Sequence, residues 1–444
     1  MIRRIAEFLA AVISRWMPDA FVYTIVLTFI ALGASLMFSP AEPFEVLQYW
    51  GDGVSSLLSF AMQMVLVIVA GHAIANSSPA IQFFTDVARQ IHSTRQAAVV
   101  VTLFALTCNW LNPGFGLVAS AFFATAIAKR LPHVNFPLLI AAGYSGYVIW
   151  HAGLSGSIPL KIASPSNDPL GSVISQAIPL SETVFSAPNL ALCAILFLTL
   201  PALNMLMASS KNEESDEYPV APENQSAIKT RTLDNVQVRP ADKMEHSLLV
   251  GYSIAGLGVA YAALHFSTGK GLSLDMVILL LIITGLFLHG SPKRYVEAIS
   301  TASPSAAGVI LQYPFYGGIM GIMMGSGLTS DIAQWFVSVS TENTYLLFTF
   351  LSAGLLNIFV PSGGGQWVVQ GPIVAESAAQ LGKPVANAAM AVAYGDAWTN
   401  LIQPFWTLPI LAVSGLSIRD IMGYCLVAFV WTGFVFASVL LLLY

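Results

Sequence analysis

Seven stretches of about 20 mainly apolar residues recur along this chain, and each is long enough to cross a bilayer as one helix. These candidate spans are 18–38, 53–75, 187–208, 246–266, 273–290, 304–326 and 421–442. Only 9% of the 444 residues are charged, against roughly 25% in soluble globular proteins. Most of the surface therefore does not face water, and the sequence predicts an all-α polytopic membrane protein.

Composition and motifs point away from several other functions. A net charge of −5 without a basic patch makes nucleic acid an unexpected partner. The sequence has no HExxH, GxSxG or P-loop motif, so neither an enzyme nor a resident cofactor is expected. Cys108, Cys193 and Cys425 lie in apolar segments without metal-ligand spacing and are predicted to pack as small apolar side chains. The nine tryptophans lie mostly near predicted span ends, where an aromatic belt at the bilayer interface explains them.

The first 17 residues predict a helix at the membrane surface. Apolar and basic positions alternate there at helical spacing, with Arg3, Arg4, Arg15 and Trp16 among them. A cleavable signal peptide would need an uninterrupted apolar region followed by a small-residue cleavage site. The pattern favours an interfacial amphipathic helix ahead of the first span.

Two further apolar runs, 97–128 and 345–375, are too long for one span and too short for two. Asn, Pro and Gly interrupt each run near its middle, over Asn109–Gly116 and Asn357–Gly365. A broken backbone at membrane depth has to be buried in protein or face a watery cavity. We therefore expect two re-entrant hairpins, each built from two half-helices that enter and leave on one side.

Two more crossings, 134–153 and 385–403, bring the predicted total to nine. Gly, Ser, Asn and Pro are too frequent in both for a plain lipid-facing helix. We expect each crossing to be unwound partway and to face a hairpin tip.

The placement of basic residues supports this topology. With the N-terminus in the cytoplasm and both apolar runs re-entrant, fifteen of the eighteen Lys and Arg residues fall on the cytoplasmic side, and only Lys161, Lys270 and Lys383 lie outside. This is the bias expected of a cell-membrane protein. The C-terminus is then periplasmic in a bacterium.

The two halves of the chain resemble each other. Three pairs of like residues lie 249, 248 and 250 positions apart: Gln63 and Gln312, Asn109 and Asn357, and Tyr144 and Tyr394. The topology orients the halves oppositely, which predicts the inverted repeat of many secondary transporters. Gln63 and Gln312 are expected to hydrogen-bond neighbouring helices.

Five regions follow from this organisation. They are an interfacial helix (1–17), a first membrane repeat (18–208), a disordered cytoplasmic linker (209–245), an extra connecting span (246–272) and a second membrane repeat (273–444). The linker mixes eight acidic and five basic residues with three prolines, which is typical of a disordered segment.

Hairpin tips supply the first candidate binding residues. Half-helix N-termini attract carboxylates and half-helix C-termini attract cations, while Asn side chains offer both donor and acceptor atoms. The tip candidates are Asn109, Asn112, Gly114, Gly116, Asn357, Ser362, Gly363, Gly364 and Gly365; further cavity-lining candidates are Gln366, Gln370, Asn400 and Gln403. The alternative interpretation is that Gly and Pro only permit a tight turn.

Asp396 is the only formally charged residue in 384–418. An ionisable side chain at mid-membrane costs about 2.5–3.5 kcal/mol on insertion scales, which indicates cation binding or proton carriage, unless Asp396 caps a helix near the interface. We hypothesise that the coupling ion is Na⁺ or H⁺, with Na⁺ held near Asn109, Asn357 and Asp396.

The histidines give weaker signals. His151 follows Trp150 near a predicted interface, so it is either a binding residue or a ring that reaches towards the interface. His72 is predicted to have a packing role. No buried Arg is available to hold a highly charged anion, which favours a monocarboxylate substrate.

Six segments resemble the bacterial short-chain fatty acid transporter family. They are WGDGVSSLLSFAMQM (50–64), NPGFGLVAS (112–120), VPSGGGQWVVQGP (360–372), AYGDAW (393–398), QPFWTLP (403–409) and IRDIMGYC (418–425). The resemblance runs nearly end to end, and the PSGGGxW…QGP motif is fairly specific. It implies an inner-membrane permease for short-chain monocarboxylates such as acetoacetate or butyrate, driven by a cation gradient.

The resemblance also implies an ion-transporter-superfamily fold. Its characterised members are homodimers in which a scaffold domain carries a mobile, elevator-type transport domain with two hairpins. One feature departs from the family pattern, in which an aromatic residue follows the first-hairpin Asn. Pro113 stands there in this sequence, so either Asn109 or Asn112 can be the ligand.

We therefore predict a secondary active transporter of short-chain monocarboxylates, embedded in the lipid bilayer and working by alternating access. A dicarboxylate or lactate-type permease is the nearest alternative. A passive small-solute channel would lack coupling to an ion gradient, and a membrane-embedded enzyme or assembly factor would need a motif that the sequence lacks.

Overall fold

Helices account for the whole regular structure of the described chain. The computed structural model describes residues 2–131, 133–163, 177–208, 239–269 and 273–444, and within these ranges it contains no strand. Six helical stretches there are long and apolar enough to cross a membrane: Ala20–Phe38, Pro43–Ala75, Ala187–Met207, Leu248–Ser267, Pro292–Gly325 and Ile418–Leu442. The prediction of an all-α chain with several apolar helices is confirmed.

Ten α-helices precede the central gap in the description. They are α1 (Ile2–Trp16), α2 (Ala20–Phe38), α3 (Pro43–Val54), α4 (Leu58–Ala75), α5 (Ser78–Ala88), α6 (Thr94–Leu111), α7 (Pro113–Arg130), α8 (Phe136–Ser145), α9 (Ser157–Ala163) and α10 (Ala187–Met207). A 3-10 helix, Gly146–Ala152, follows α8 directly, and the loop 153–156 leads from it to α9.

Eleven α-helices follow the gap. They are α11 (Pro240–Glu245), α12 (Leu248–Ser267), α13 (Leu274–His289), α14 (Pro292–Ala302), α15 (Ala307–Gly325), α16 (Leu328–Ser338), α17 (Tyr345–Phe359), α18 (Gly363–Gln380), α19 (Val385–Thr399), α20 (Pro404–Ser414) and α21 (Ile418–Leu442). The 3-10 helices Ser303–Ala306 and Asn400–Ile402 join α14 to α15 and α19 to α20. Nine helices, α13–α21, thus repeat the order of long, short and broken elements found in α2–α10, with α11 and α12 between the two sets.

Two predicted spans are longer than expected. The span predicted at 53–75 extends back to Pro43 through α3, and the span predicted at 304–326 extends back to Pro292 through α14. The sequence did not include these leading helices because their polar residues lower the hydropathy. Glycines let α3 and α15 touch backbone to backbone. A Cβ atom on Gly53 would lie 2.4 Å from the carbonyl oxygen of Gly317, so neither helix could carry a larger residue there.

Both predicted interruptions are present, and both are shorter than expected. Only Asn112 separates α6 from α7, and only Val360–Ser362 separates α17 from α18. The glycines assigned to the tips therefore lie inside the first turns of α7 and α18. The prediction that they form the break was wrong, because glycine in the first turn is accommodated once Asn112 or Ser362 caps the helix.

The two crossings expected to be unwound are discontinuous. The first changes from α8 to a 3-10 helix, and the second changes from α19 to a 3-10 helix at Asn400. The second crossing was predicted to end at residue 403, whereas the chain resumes there as α20 and continues to Ser414. Pro404 at the first position of α20 is compatible with a helix start, since its missing N–H would have had no intrahelical acceptor.

The two halves exchange helices around the interruptions. In each half the leading helix of the discontinuous crossing packs against its own interrupted pair, α8 on α6 and α7, and α19 on α17 and α18. The trailing helix packs on the other half, with α9 against α18 and α20 against α7. Each interruption is therefore enclosed by residues from both halves.

The structure describes parts of two peripheral regions, the N-terminal segment and the predicted linker. The first 17 residues contain α1, which packs against α21. Of the predicted linker, residues 209–238 lie outside the described residues. Its last part is not disordered, because Pro240–Glu245 forms α11, in which the Arg239 guanidinium lies 2.9 Å from the Asp242 carboxylate.

Three cysteines, one glutamine and one histidine in the apolar segments behave as predicted. All three cysteines are buried and free. Gln63 donates a hydrogen bond to the Asp275 carboxylate at 2.7 Å, which joins α4 to α13. The ring of His72 lies edge-on to Phe122, 5.5 Å between centroids, and so packs α4 on α7.

Candidate functional site

Asn357 joins the second interruption to the point where α19 changes into a 3-10 helix. Its side-chain amide lies 2.7 Å from the Asp396 carbonyl oxygen, 2.9 Å from Thr399 Oγ1 and 2.7 Å from Asn400 Oδ1. One NH₂ group has two hydrogens, so these three acceptors share them. All of these residues are buried. The last turn of α17 is therefore fixed to the end of α19 through a single side chain.

Asp396 is a buried carboxyl group, and ionising it at this depth costs free energy unless a cation or donor compensates the charge. Its side chain is 1% exposed, and neither carboxyl oxygen has a donor at full hydrogen-bond geometry among the described residues; the neighbouring donor is the side-chain amide of Asn400. The nearest ionisable group recorded is His151, with Nδ1 3.5 Å from Oδ2 of Asp396. The helix-capping alternative is wrong, because Asp396 lies three residues inside the C-terminal end of α19 and no backbone N–H reaches it within the described chain.

His151 is fully buried, so the alternative of a ring reaching towards the interface is wrong. Its Nδ1 lies 2.8 Å from the Ala393 carbonyl oxygen, and its Nε2 lies 3.0 Å from Ser157 Oγ. Gly363 packs directly on the ring, since a Cβ atom there would lie 2.4 Å from His151 Cε1. The first residue of α18 in the second half thus contacts the discontinuous crossing of the first half.

Oxygen acceptors outnumber donors around Asp396. The side-chain carbonyl oxygens of Asn357 and Gln403 are buried without a donor in the described part of the chain, and so are both Asp396 oxygens. The Gln403 amide donates to Asn400 Oδ1, which leaves Asn400 Nδ2 as the one buried amide donor in the group that lacks an acceptor. Such an excess of oxygen ligands with one carboxylate suits a small hard cation, or a proton on the carboxylate.

A conventional metal centre is not part of this group. The described residues contain no cluster of three or more His, Cys, Asp or Glu side chains that could hold a metal ion. A cation such as Na⁺ would therefore depend on amide and backbone oxygens together with Asp396, as coupling ions do at unwound helices.

The first interruption has a different set of contacts. Asn112 caps α7 by accepting a hydrogen bond from Phe115 N at 3.1 Å, and its amide reaches Ser155 Oγ at 3.4 Å. Asn109 donates to Ala105 O in its own helix, and its Oδ1 is buried without a donor among the described residues. Asn112 therefore has a structural role at the break, whereas Asn109 keeps a free acceptor.

Glycine is required beside Asn109. A Cβ atom on Gly116 would lie 2.3 Å from Asn109 Oδ1, while one on Gly114 would make only ordinary contacts with Val67 and Leu274. The loop 153–156 closes over this interruption, because Leu154 N donates to Trp110 O at 2.8 Å.

The predicted site residues fall into two groups. His151, Asn357, Gly363, Asp396, Asn400 and Gln403 lie together at the second interruption. The first-interruption residues Asn109, Asn112, Gly114 and Gly116 have no recorded hydrogen bond to that group within the described ranges.

The remaining candidates shape the second interrupted pair. Ser362 caps α18 by accepting from Gly365 N at 3.3 Å. Gln366 donates to Ala353 O and to Gln370, and Gln370 donates to Ser352, so these two side chains hold α17 and α18 together. Gly364 contributes its carbonyl oxygen, 3.4 Å from the Lys161 ammonium group.

Sequence reasoning missed a buried aromatic cluster next to these residues. Tyr147 and Trp150 lie in the first 3-10 helix and Trp406 lies in the first turn of α20; all three are at most 6% exposed. The aromatic-belt explanation is wrong for Trp150, Trp406 and also Trp367, which is fully buried. The available signal was the spacing of Tyr144, Tyr147 and Trp150, since residues three apart eclipse one another in a 3-10 helix.

Comparisons with known proteins agree with the resemblance seen in the sequence. The family model for short-chain fatty acid transporters matches residues 1–443. A protein of Escherichia coli (strain K12), provisionally named a short-chain fatty acid transporter, is 40% identical over 438 residues, which are 98% of each chain. A protein of Haemophilus influenzae (strain ATCC 51907 / DSM 11121 / KW20 / Rd) with the same provisional name is 36% identical over 447 residues, again 98% of each chain.

Similarity to a solved structure is much lower. The match to the crystal structure of the Alcanivorax borkumensis YdaH transporter spans 95% of this chain and 98% of the YdaH chain, at 14% identity and a TM-score of 0.45. At that score the two folds are not shown to be the same. The full-length sequence matches carry the assignment: the chain is a bacterial multi-pass membrane protein of a transporter family rather than an enzyme family, and it belongs to the short-chain fatty acid transporter family.

Proposed function

We propose that this protein is a secondary active transporter that carries short-chain monocarboxylates, such as acetoacetate and butyrate, together with a cation, Na⁺ or H⁺. The observation that carries the proposal is Asp396, a buried carboxyl group with no donor at full hydrogen-bond geometry in the described chain and with unpartnered amide oxygens of Asn357 and Gln403 in the same group. An uncompensated charge at this depth is costly, so a cation that arrives with the substrate would be bound tightly there.

Coupling follows from charge. A monocarboxylate anion brings one negative charge into a region that already holds Asp396, and the cation offsets it. Anion and cation therefore favour each other's binding, which is the requirement for symport. For Na⁺, the ligands would be Asp396 with the oxygens of Asn357 and Gln403; for H⁺, the Asp396 carboxylate would itself carry the proton beside His151.

The first interruption has the same kind of role in this proposal. Asn109 is the better ligand candidate there, because its Oδ1 is buried and free while Asn112 is used as a helix cap. Helix α7 begins at this point, but Pro113 has no N–H and Asn112 already accepts from Phe115 N and Gly116 N, so Gly114 N–H is the one first-turn donor of α7 without a recorded acceptor in the described chain. The glycines Gly114 and Gly116 would allow close approach of the backbone.

Alternating access would use the exchanged helices. The two sets of nine helices, with reciprocal packing of α9 and α20, support an inverted repeat of nine crossings and two opposed re-entrant hairpins. In this proposal the protein is an elevator-type homodimer in the bacterial inner membrane, with a cytoplasmic N-terminus and a periplasmic C-terminus. The five regions predicted from the sequence become the interfacial helix, two repeats, linker and connecting span of that architecture.

A passive channel and a dicarboxylate or lactate-type permease are the alternatives. The buried, charge-bearing Asp396 favours the coupled carrier over the channel, because a water-filled pore would hydrate that group. The absence of a recorded Arg in the described site favours a monocarboxylate over a dicarboxylate.

Uptake into proteoliposomes tests the proposal. Radiolabelled butyrate and acetoacetate would be offered under an inward Na⁺ gradient or an inward pH gradient, with wild type and Asp396→Asn compared. We expect accumulation above equilibrium under one gradient and its loss in Asp396→Asn, with folding checked by size-exclusion chromatography. Simple equilibration under both gradients would establish the channel alternative, and competition only by succinate or lactate would establish the other permease class.

A further inference from the structure

Three aromatic rings from the two halves of the chain meet beside the second interruption. The ring centroids of Tyr147 and Trp150 are 5.8 Å apart, those of Tyr147 and Trp406 are 5.3 Å apart, and those of Trp150 and Trp406 are 6.0 Å apart. Tyr147 and Trp150 share a 3-10 helix in the first half, whereas Trp406 follows the unwound residues of the second half. The cluster therefore exists only because the halves exchange helices.

Each ring of the cluster has a buried polar atom with no partner among the described residues. These atoms are the Tyr147 hydroxyl, Trp150 Nε1 and Trp406 Nε1. Buried Tyr O–H and Trp N–H groups usually find hydrogen-bond partners, because leaving one unsatisfied is costly. Trp398 Nε1 and Trp431 Nε1 follow that rule, since they donate to Phe429 O at 2.8 Å and to Thr199 Oγ1 at 3.1 Å. Trp50 Nε1 and Trp367 Nε1 are also buried without an acceptor in the described chain, but neither ring belongs to this cluster. Three unsatisfied donors on rings that contact one another indicate a site for an acceptor.

We propose that Tyr147, Trp150 and Trp406 form the binding site for the substrate, with their O–H and N–H groups holding the carboxylate and their ring faces enclosing the short aliphatic chain. This inference rests on the proposed function and names the residues that recognise the anion. A carboxylate has about four acceptor positions, enough for three donors, and needs no Arg or Lys when neutral donors surround it in a dry site.

The position of this aromatic site explains why substrate and cation would be coupled. Trp150 is adjacent in sequence to His151, and the ring centroids of the two are 3.5 Å apart. His151 in turn lies beside Asp396. Donors that suit an anion and acceptors that suit a cation are thus grouped side by side, so that the two charges offset each other at short range.

A limit on chain length follows from the outer wall of the aromatic site. Phe60 from α4 lies edge-on to Trp406, 5.7 Å between centroids, and stacks on Tyr313 from α15 at 5.9 Å. These rings close the side of the cluster that faces α4 and α15. A short acid is compatible with this wall, whereas a longer chain would have to displace Phe60.

Ring-preserving substitutions test the inference. Trp406→Phe and Tyr147→Phe each remove one donor and keep an aromatic ring, and Trp335→Phe, at a side chain that is 59% exposed, is a control for the Trp→Phe change outside the cluster. The measurement is the butyrate dissociation constant of the purified full chain, by isothermal titration, together with the KM for uptake. We expect the butyrate dissociation constant to rise roughly tenfold or more in each of the first two variants, which is the loss typical of a hydrogen bond to a charged group. The control should leave it unchanged.

Melting temperature and chain length separate the outcomes. Tyr147→Phe loses no hydrogen bond within the described protein and almost no volume, so its melting temperature should match that of wild type. Trp406→Phe leaves a small cavity where the indole was packed, so it should melt somewhat lower, and Tyr147→Phe is the cleaner test of binding. Phe60→Ala should raise the uptake of hexanoate relative to butyrate. Wild-type affinity in both Phe variants would overturn the aromatic site while leaving the transporter intact; a wild type that neither binds nor transports butyrate would instead overturn the proposed function.

Discussion

Two adjacent glycines at the start of α18 provide a steric test of how the halves meet. A Cβ atom on Gly363 would lie 2.4 Å from His151 Cε1, 2.6 Å from His151 Nε2 and 2.9 Å from Ser157 Oγ. Favourable contacts between non-bonded carbon atoms begin at about 3.5 Å, so the ring would have to move by about 1 Å. Because Ala393 and Ser157 hold both ring nitrogens, we expect Gly363→Ala to destabilise the fold by about 1–3 kcal/mol, the usual cost of overpacking.

Gly364 is the matched control. A Cβ atom there would meet only the Ser157 Cβ, at 4.0 Å, which is an ordinary contact. Alanine is favoured over glycine inside helices by up to about 1 kcal/mol, so Gly364→Ala should be neutral or slightly stabilising. The two substitutions change the same residue type in the same helical turn, and the contact with His151 distinguishes them.

The assay is the apparent melting temperature of the purified protein in detergent. We expect Gly363→Ala to melt below wild type and Gly364→Ala to melt at or above it. Adding His151→Ala to Gly363→Ala should recover part of the loss, since the clash is removed and the two substitutions are coupled. Equal melting temperatures for the two glycine variants would show that α18 does not pack on His151, and would refute the arrangement of the halves derived from that contact.

Three further predictions concern the buried amides, the thiols and the termini. Asn357→Ala should lower the free energy of unfolding by about 1–3 kcal/mol, because it leaves buried acceptors at the end of α19 without their donor. Asn109→Ala should lower it less, since the Asn109 amide bonds only a carbonyl in its own helix. Chemical unfolding of the two variants in detergent compares them. Cys108, Cys193 and Cys425 are buried, so a membrane-impermeant maleimide should not label the folded protein and should label it after denaturation. A reporter that is active only in the cytoplasm should work when fused to the N-terminus, and one that is active only in the periplasm should work when fused to the C-terminus. Both termini on one side would contradict the predicted odd number of crossings.

The positions of the interruptions could be predicted because local chemistry determines them. Pro113 and Pro361 cannot donate a helical hydrogen bond, and an Asn lies four residues before each. The residues that form the breaks were harder to predict. Asn112 and Ser362 cap the following helices, and the glycines beyond them continue as helix, so the chain breaks at the cap and not at the glycines.

Contacts between the halves could not be predicted from one sequence. Asp396 was identified because a lone charge in an apolar run is informative by itself. The burial of His151 and Trp406 depends on which side of a helix faces protein, and the hydropathy of the sequence gives no information about helix orientation. An apolar run with a tryptophan near its end is compatible with a lipid interface and with a protein core. The packing of α9 and α20 on the opposite half of the chain decides between these two environments, and the sequence does not show that packing.

The linkage between substrate and cation at Asp396 is the most direct test of the account. The butyrate dissociation constant would be measured by isothermal titration of the detergent-purified protein over a range of Na⁺ concentration at fixed pH, and over a range of pH without Na⁺. We predict that one of the two ions strengthens butyrate binding by roughly 5–150-fold, the usual range of coupling between two sites, and that Asp396→Asn abolishes the effect. A butyrate affinity independent of both ions in the wild type, with butyrate still bound, would contradict cation coupling at this carboxylate.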